Sequence, residues 1–126
     1  MINNIDIKEL SCAEKLQAVN DSLYVIGGKW KLPVIIALSQ GHTRFNELQR
    51  KTGISGKVLS NELKELELNG FVKRQVSTED LKSSIAYQLS PYSQSLESVI
   101  FAMIGWGIQH RVHIKEGRNF ETSYTA

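Results

Sequence analysis

Apolar residues change their spacing several times along the chain, and each change predicts an element. Leu16, Val19, Leu23 and Ile26 recur every three or four positions from about Ala13, the spacing of one helical face, until Gly27 and Gly28 break it. Lys29 to Gln40 carries Trp30, Val34, Ile35, Ile36 and Leu38, a helix apolar enough to be the centre of a core, with Pro33 tolerated in its first turn. Gly41 closes it. After a brief extended link at His42 and Thr43, Phe45 to Lys51 reads as a short helix with Phe45 and Leu48 facing inward, ended by Gly53. Leu59, Leu63 and Leu66 then stack at i, i+4 and i+7 on a helix that Ser55 caps and Gly70 ends. Beyond Gly70 the spacing becomes that of strands: Phe71, Val72 and Val76, then Ile85, Tyr87 and Leu89, with the polar loop Ser77 to Ser84 between them. Ser90 and Pro91 mark a capped helix start, and that helix is expected to run to about Lys115. At the N-terminus Ile2, Ile5, Ile7 and Leu10 alternate with polar residues, which fits a short strand, an arm or a lead-in turn.

Residues 44–70 therefore read as helix, tight glycine turn and helix, with Ile54 plugging the turn. A hairpin directly after such a pair makes a winged helix. The expected fold is mainly α with a small β-hairpin, an α+β winged helix-turn-helix flanked by N- and C-terminal helices. As one domain over 1–126, it divides into an N-terminal helix (12–28), the winged core (29–90), a C-terminal helix (91–116) and a flexible tail (117–126). The last helix carries two apolar stripes. Tyr92, Leu96, Val99, Ile100 and Met103 form one; Phe101, Ile104 and Ile108 form a second, turned a quarter to a third of a circle away. One small domain has little with which to cover both, so the second stripe points to a partner helix in a two-fold dimer. A wide core face closed by the N-terminal segment is the alternative.

The helix of Leu59, Leu63 and Leu66 has a wet face of another kind, with Lys57, Asn61 and Lys64 opposite the leucines and Ser60 at the edge. Asn pairs bidentately with adenine, Lys reaches guanine or phosphate, and Ser fits either, so this face suits the major groove of DNA. A solvated basic face has the same composition. The wing tip around Lys82 to Ser84 is likewise a candidate for phosphate or minor-groove contact, or simply a solvated loop. With a formal net charge of only +2, any nucleic-acid surface must come from the placement of charge rather than from excess.

Little else in the chain carries chemistry. The single cysteine excludes an intramolecular disulfide. No apolar run is long enough to span a membrane and no cleavable leader is visible, so the expected compartment is the cytoplasm. No nucleophile elbow, phosphate loop or zinc spacing is present, so an enzyme and a bound cofactor are not expected. His110 and His113 share a face at i, i+3 but lack an evident third ligand, which fits a polar helix end better than a metal site.

Five sequence runs together resemble the HxlR-type bacterial regulators, a family of dimeric winged-helix DNA-binding proteins. They are IGGKWK at Ile26 to Lys31, RFNEL at Arg44 to Leu48, GISGKVLSNELKELELNGFVKR at Gly53 to Arg74, YQLSP at Tyr87 to Pro91, and the pair Trp106-Gly107. The resemblance implies that Ser55 to Asn69 enters the major groove and that residues 71–90 form the wing. Ser55, Lys57, Ser60, Asn61 and Lys64 become the groove-facing candidates, and Arg44 and Arg74 the phosphate contacts, with Lys82 at the wing tip. It also implies a homodimer built from the first and last helices, which makes Leu16, Leu23, Leu96, Ile100, Phe101, Ile104 and Ile108 its candidate contacts.

Two positions depart from the family pattern. Many members carry a Cys-Pro pair ten residues before the first glycine of GGKW, and some sense oxidants with that cysteine; here Gln17 and Ala18 stand there, and Cys12 lies five residues earlier. Cys12, near a helix start that favours thiolate, is the sole redox candidate. Ser93 stands where the family usually has glycine. The sequence thus predicts a sequence-specific, DNA-binding transcriptional regulator that acts as a homodimer on a pseudo-palindromic operator. A winged-helix module that binds protein instead of DNA is the competing reading, and an unidentified small-molecule effector is left open.

Overall fold

A computed structural model of the protein describes residues 5–77 and 84–124, with side chains as far as Gly117. Its elements are a 3-10 turn (Ile7–Glu9), α1 (Cys12–Ile26), α2 (Lys31–Ser39), α3 (Phe45–Thr52), α4 (Gly56–Leu68), β1 (Val72–Ser77), β2 (Ser84–Leu89), a second 3-10 segment (Pro91–Leu96) and α5 (Glu97–Tyr124). They fall into two compact units, Met1–Ser90 and Pro91–Ala126. Mostly helical with one two-stranded antiparallel hairpin, this is the winged-helix architecture expected.

The first unit is organised around α2, which packs against α3, α4 and β2. Val34, Ile35, Ala37 and Leu38 are buried there, joined by Leu48 of α3, Leu59, Leu63 and Leu66 of α4, and Phe71 and Val72 at the start of the hairpin. Leu59 and Leu66 have no exposed surface. Each such leucine contributes about 1.5–3 kcal/mol over an exposed position, so the apolar row fixes which face of α4 is left free.

The turn between α3 and α4 is specified residue by residue. Gly53 takes the left-handed conformation at φ 77°, and its N–H donates to the Gln49 carbonyl at 2.8 Å, closing the last turn of α3. An alanine there would cost about 1 kcal/mol or more. Thr52 Oγ1 donates back to the Leu48 carbonyl at 2.6 Å, Ile54 is buried beneath the turn, and Ser55 caps α4 by accepting the Val58 N–H at 3.3 Å.

The hairpin is laced to both sides of the helix pair. Its register sets Val72 opposite Leu89, Arg74 opposite Tyr87 and Val76 opposite Ile85. The Tyr87 N–H donates to the Thr43 carbonyl at 2.9 Å, joining β2 to the link that enters α3. At the other end the Ser90 N–H donates to the Phe71 carbonyl at 2.9 Å, and the Ser90 hydroxyl donates to the Gly70 carbonyl.

The structure narrows some local expectations and corrects others. Of the three readings of the N-terminal stretch, its described part takes the lead-in turn, a single 3-10 turn capped by Asp6 accepting the Lys8 N–H at 3.0 Å. Only Ile26 of the apolar face of α1 is buried; Leu16, Val19 and Leu23 are all more than half exposed. The last helix does not begin in α form at Pro91. The segment winds as 3-10 until Leu96, with Ser95 Oγ donating to the Tyr92 carbonyl at 2.7 Å. At the far end α5 continues to Tyr124, past the expected end near Lys115, because Gly117 is not in the left-handed conformation that would stop it.

The largest difference concerns the first apolar stripe of α5, which was expected on the core of its own chain. Neither stripe is buried: Tyr92, Val99, Met103, Phe101, Ile104 and Ile108 are exposed, while Leu96 and Ile100 are half-buried. A unit made of one helix and its 3-10 lead has no second layer with which to cover them.

Candidate nucleic-acid interface

With Leu59, Leu63 and Leu66 held inward, helical geometry puts Lys57, Asn61 and Lys64 on the outer row of α4, and all three are exposed. Ser60 is half-buried at the edge of this row. Among the described residues, neither Lys57 nor Lys64 takes part in an ion pair. The row is therefore a set of uncommitted donors on a rigid support.

One flank of the row meets the hairpin. Ser60, Leu63, Lys64 and Glu67 of α4 face Arg74 of β1 and Tyr87 of β2 across a cleft of about 150 Å³. Arg74 and Tyr87 are cross-strand partners and share a face of the hairpin, so the register that pairs them also delivers both to the cleft. Two cations and two hydroxyls surround this space, and the Glu67 carboxylate lines it as well.

The other expected contacts lie elsewhere. Arg44 is exposed at the cap position of α3, which has no side-chain cap of its own. Ser55 spends its oxygen on the Val58 N–H and so acts first as the cap of α4. Lys82 falls outside the described residues. Tyr87 and Glu67 were not among the sequence candidates: Tyr87 reads as an apolar strand position, and only the hairpin register reveals that it flanks Arg74.

Polar contacts brace the elements beside this face. Glu47, three residues into α3, accepts the Thr43 N–H at 3.2 Å through one oxygen and lies 3.2 Å from His42 Nδ1 through the other. The hydrogen bond to His42 is the main reason its carboxyl is held below the ordinary value of 4.5, with Thr43 and Arg50 adding to it against the effect of burial. On the opposite flank of α4, Lys31 of α2 pairs with both Glu62 and Glu65. Its pKa is raised above 10.5, chiefly by the hydrogen bond to Glu65 and then by Glu62, with burial opposing, so it stays cationic at any physiological pH.

Among the described residues no group of three or more His, Cys, Asp or Glu is placed to hold a metal ion. His110 stacks on Trp106 with ring centres 4.8 Å apart, and His113 lies 6.4 Å beyond, so these rings form a ladder along α5. Cys12 is exposed at the first residue of α1, behind a capping box in which Ser11 and Glu14 exchange bonds of 2.9 and 3.1 Å. Among the described residues no helix is long and apolar enough to cross a membrane.

The pattern of the HxlR-like helix-turn-helix family matches residues 25–115, a span that holds the whole helix pair, the hairpin and most of α5. The chain belongs to this HxlR-like family. Among its relatives, the HTH-type transcriptional regulator YtcD of Bacillus subtilis is 37% identical over 94 residues, 74% of each chain. YdzF of the same organism is 38% identical over 100 residues, 77% of this chain and 90% of its own. Solved structures agree. That of YtcD superposes with a TM-score of 0.68 at 38% identity, covering 73% of this chain and 94% of its own. The redox regulator HypR in its reduced form gives 0.71 at 33%, covering 79% and 98%. The HxlR-like match includes IGGKWK, whose Lys31 is the residue that reaches α4.

Proposed function

We propose that this HxlR-like DNA-binding transcriptional regulator acts as a homodimer, laying one α4 from each protomer into successive major grooves of a pseudo-palindromic operator. The observation that carries the reading is the split of α4 into a fully buried leucine row and an opposite, exposed row of Lys57, Asn61 and Lys64. Asn61 is the base reader, pairing with adenine, while Lys57 and Lys64 reach guanine or phosphate and Ser60 serves the edge of the groove. Arg74, with Tyr87 beside it, and Arg44 hold the backbone and set the register of α4 on the duplex. Ser55 orients the first turn of the helix by its cap.

The dimer reading is supported by the apolar surface that one chain leaves open. Leu16 and Leu23 of α1 are 59% and 60% exposed, and Phe101 and Ile108 of α5 are 63% and 62% exposed. Four large apolar residues at this exposure, on two helices that carry more of the same, mark surface that association covers. Two-fold pairing then predicts half-sites about 34 Å apart, or a multiple of that spacing. An operator occupied in this way and overlapping a promoter denies access to polymerase, so repression is the expected sign. A signal acts by changing the separation of the two α4 helices.

The test is selection of bound duplexes from a randomised pool, followed by footprinting and sedimentation of the complex. The expected result is two related half-sites protected in phase on one face of the duplex, by a dimer. A protein that is monomeric and protects a single half-site removes the dimer reading; one that selects no duplex removes DNA reading altogether and leaves the protein-binding module.

A further inference from the structure

The IGGKWK run has a structural peculiarity that groove contacts do not explain. Lys31 is the first residue of α2, where the helix macrodipole disfavours a cation, and α2 has neither an acidic residue in its first turn nor a side-chain cap. A rule of local structure broken at a largely covered position points to a tertiary compensation. The preceding turn delivers it. Gly28 is left-handed at φ 89°, and a Cβ on Gly27 would stand 2.2 Å from the Leu23 carbonyl oxygen, so only glycine allows the chain to double back this tightly after α1. Lys29 then lies over the Trp30 ring at 4.8 Å, and Lys31, its side chain only 12% exposed, is sent inward to α4.

There it meets both carboxylates on one flank. Lys31 Nζ is 2.9 Å from Glu62 Oε2 and pairs also with Glu65. The Glu62 oxygen is sealed from solvent, and among the described residues the Lys31 ammonium is the charge that offsets it. Glu62 and Glu65 stand at i, i+3, about 100° round the helix from the Lys57, Asn61 and Lys64 row. The leucine row fixes how α4 is seated but, being apolar and non-directional, tolerates small rotations. A rotation of about 20° moves a side-chain tip about 6 Å from the axis by about 2 Å, enough to break a bidentate hydrogen bond.

We infer that Lys31 is a positioning residue for base reading: by holding Glu62 and Glu65 together it fixes the rotation of α4 about its axis, and so the direction in which Asn61 is presented. The inference rests on the assignment of α4 as the reading helix. It assigns to the GGKWK segment a part in specificity without any contact to DNA.

The experiment compares wild type, Lys31→Met, Lys31→Arg and Lys31→Met/Glu62→Gln/Glu65→Gln. Each is titrated on the duplex selected by the wild type and on an unselected random duplex, with folding checked by circular dichroism. Amide exchange of α4 is followed in the free proteins. Expected for Lys31→Met is about a tenfold or greater loss on the selected duplex, with less than about threefold on the random one and an unchanged salt slope. A lysine that touched phosphate would lose both affinities and flatten the slope by about one ion. Lys31→Arg keeps most of the discrimination. The triple variant, which leaves no unpaired carboxylate, regains stability but not discrimination; full recovery of discrimination would mean that charge alone mattered and would overturn positioning. Equal losses on the two duplexes overturn it as well. If the wild type prefers no duplex, DNA reading itself fails, and α4 exchange still decides the mechanical claim: faster exchange in α4 but not α3 of Lys31→Met supports the clamp, and unchanged exchange refutes it.

Discussion

Removal of the two lysines on the outer row of α4 gives a response large enough to calculate. Lys57 and Lys64 are exposed and in no ion pair among the described residues, so replacing both with alanine leaves the core untouched and stability within about 0.5 kcal/mol per site. If each neutralises one phosphate, a dimer loses about four contacts, and the slope of log K against log salt flattens by about 3.6. Between roughly 50 and 200 mM salt the wild type should then lose about 150-fold more affinity than the variant does. Fluorescence anisotropy on a duplex of about 30 base pairs, long enough for two half-sites, measures both slopes directly. A folded Lys57→Ala/Lys64→Ala protein with the wild-type slope would refute the reasoning, because it would place the phosphate contacts on some other face.

Four further outcomes are expected. Asn61→Ala should relax preference at one base pair of the selected site by about 1–3 kcal/mol, and an unchanged base preference would take Asn61 off the reading face. Ile104→Glu, in the exposed apolar stripe of α5, should sediment as a monomer; a dimer of normal strength would exclude that stripe from the interface. Glu47 has a depressed pKa in the folded protein, so its contribution to stability is present above the unfolded value and is lost as pH falls through the folded one. Thermal unfolding between about pH 5 and pH 3 should accordingly fall less steeply for Glu47→Gln than for wild type, and identical acid limbs would show that the His42 pair contributes nothing. Diamide or peroxide should leave DNA binding unchanged, since the position of the family's sensing cysteine holds Gln17; release of DNA that disappears in Cys12→Ser would contradict this.

What the sequence made legible is the part of the fold whose causes are local. The row Leu59, Leu63 and Leu66, the cap at Ser55, the stop at Gly53 and the two strands each follow from spacing or from one residue's backbone preference, and each stands where expected. Period alone says which residues favour burial but not whether their own chain provides the cover, which is why the stripe Tyr92, Val99 and Met103 reads as core and yet is exposed. Tyr87 joined Arg74 only through the hairpin register, which depends on where the connecting loop lets the strands pair. Lys31 was invisible for a different reason: its partners lie more than thirty positions away, and no periodicity links a lysine on one helix to two glutamates on another.

The three hydrogen bonds that lace the hairpin to its neighbours make this region a ruler. Tyr87 fastens β2 to the approach of α3, and Ser90 fastens the exit of β2 to the residues that leave α4. The distance between the row proposed to read bases and the cleft at Arg74 is thus set by the backbone. A duplex with one base pair added inside a half-site shifts its phosphates by about 3.4 Å, and nothing in such a unit stretches to follow. In the proposed dimer, variation among operators is then expected in the spacer between half-sites, which falls between two protomers, while each half-site keeps a single length.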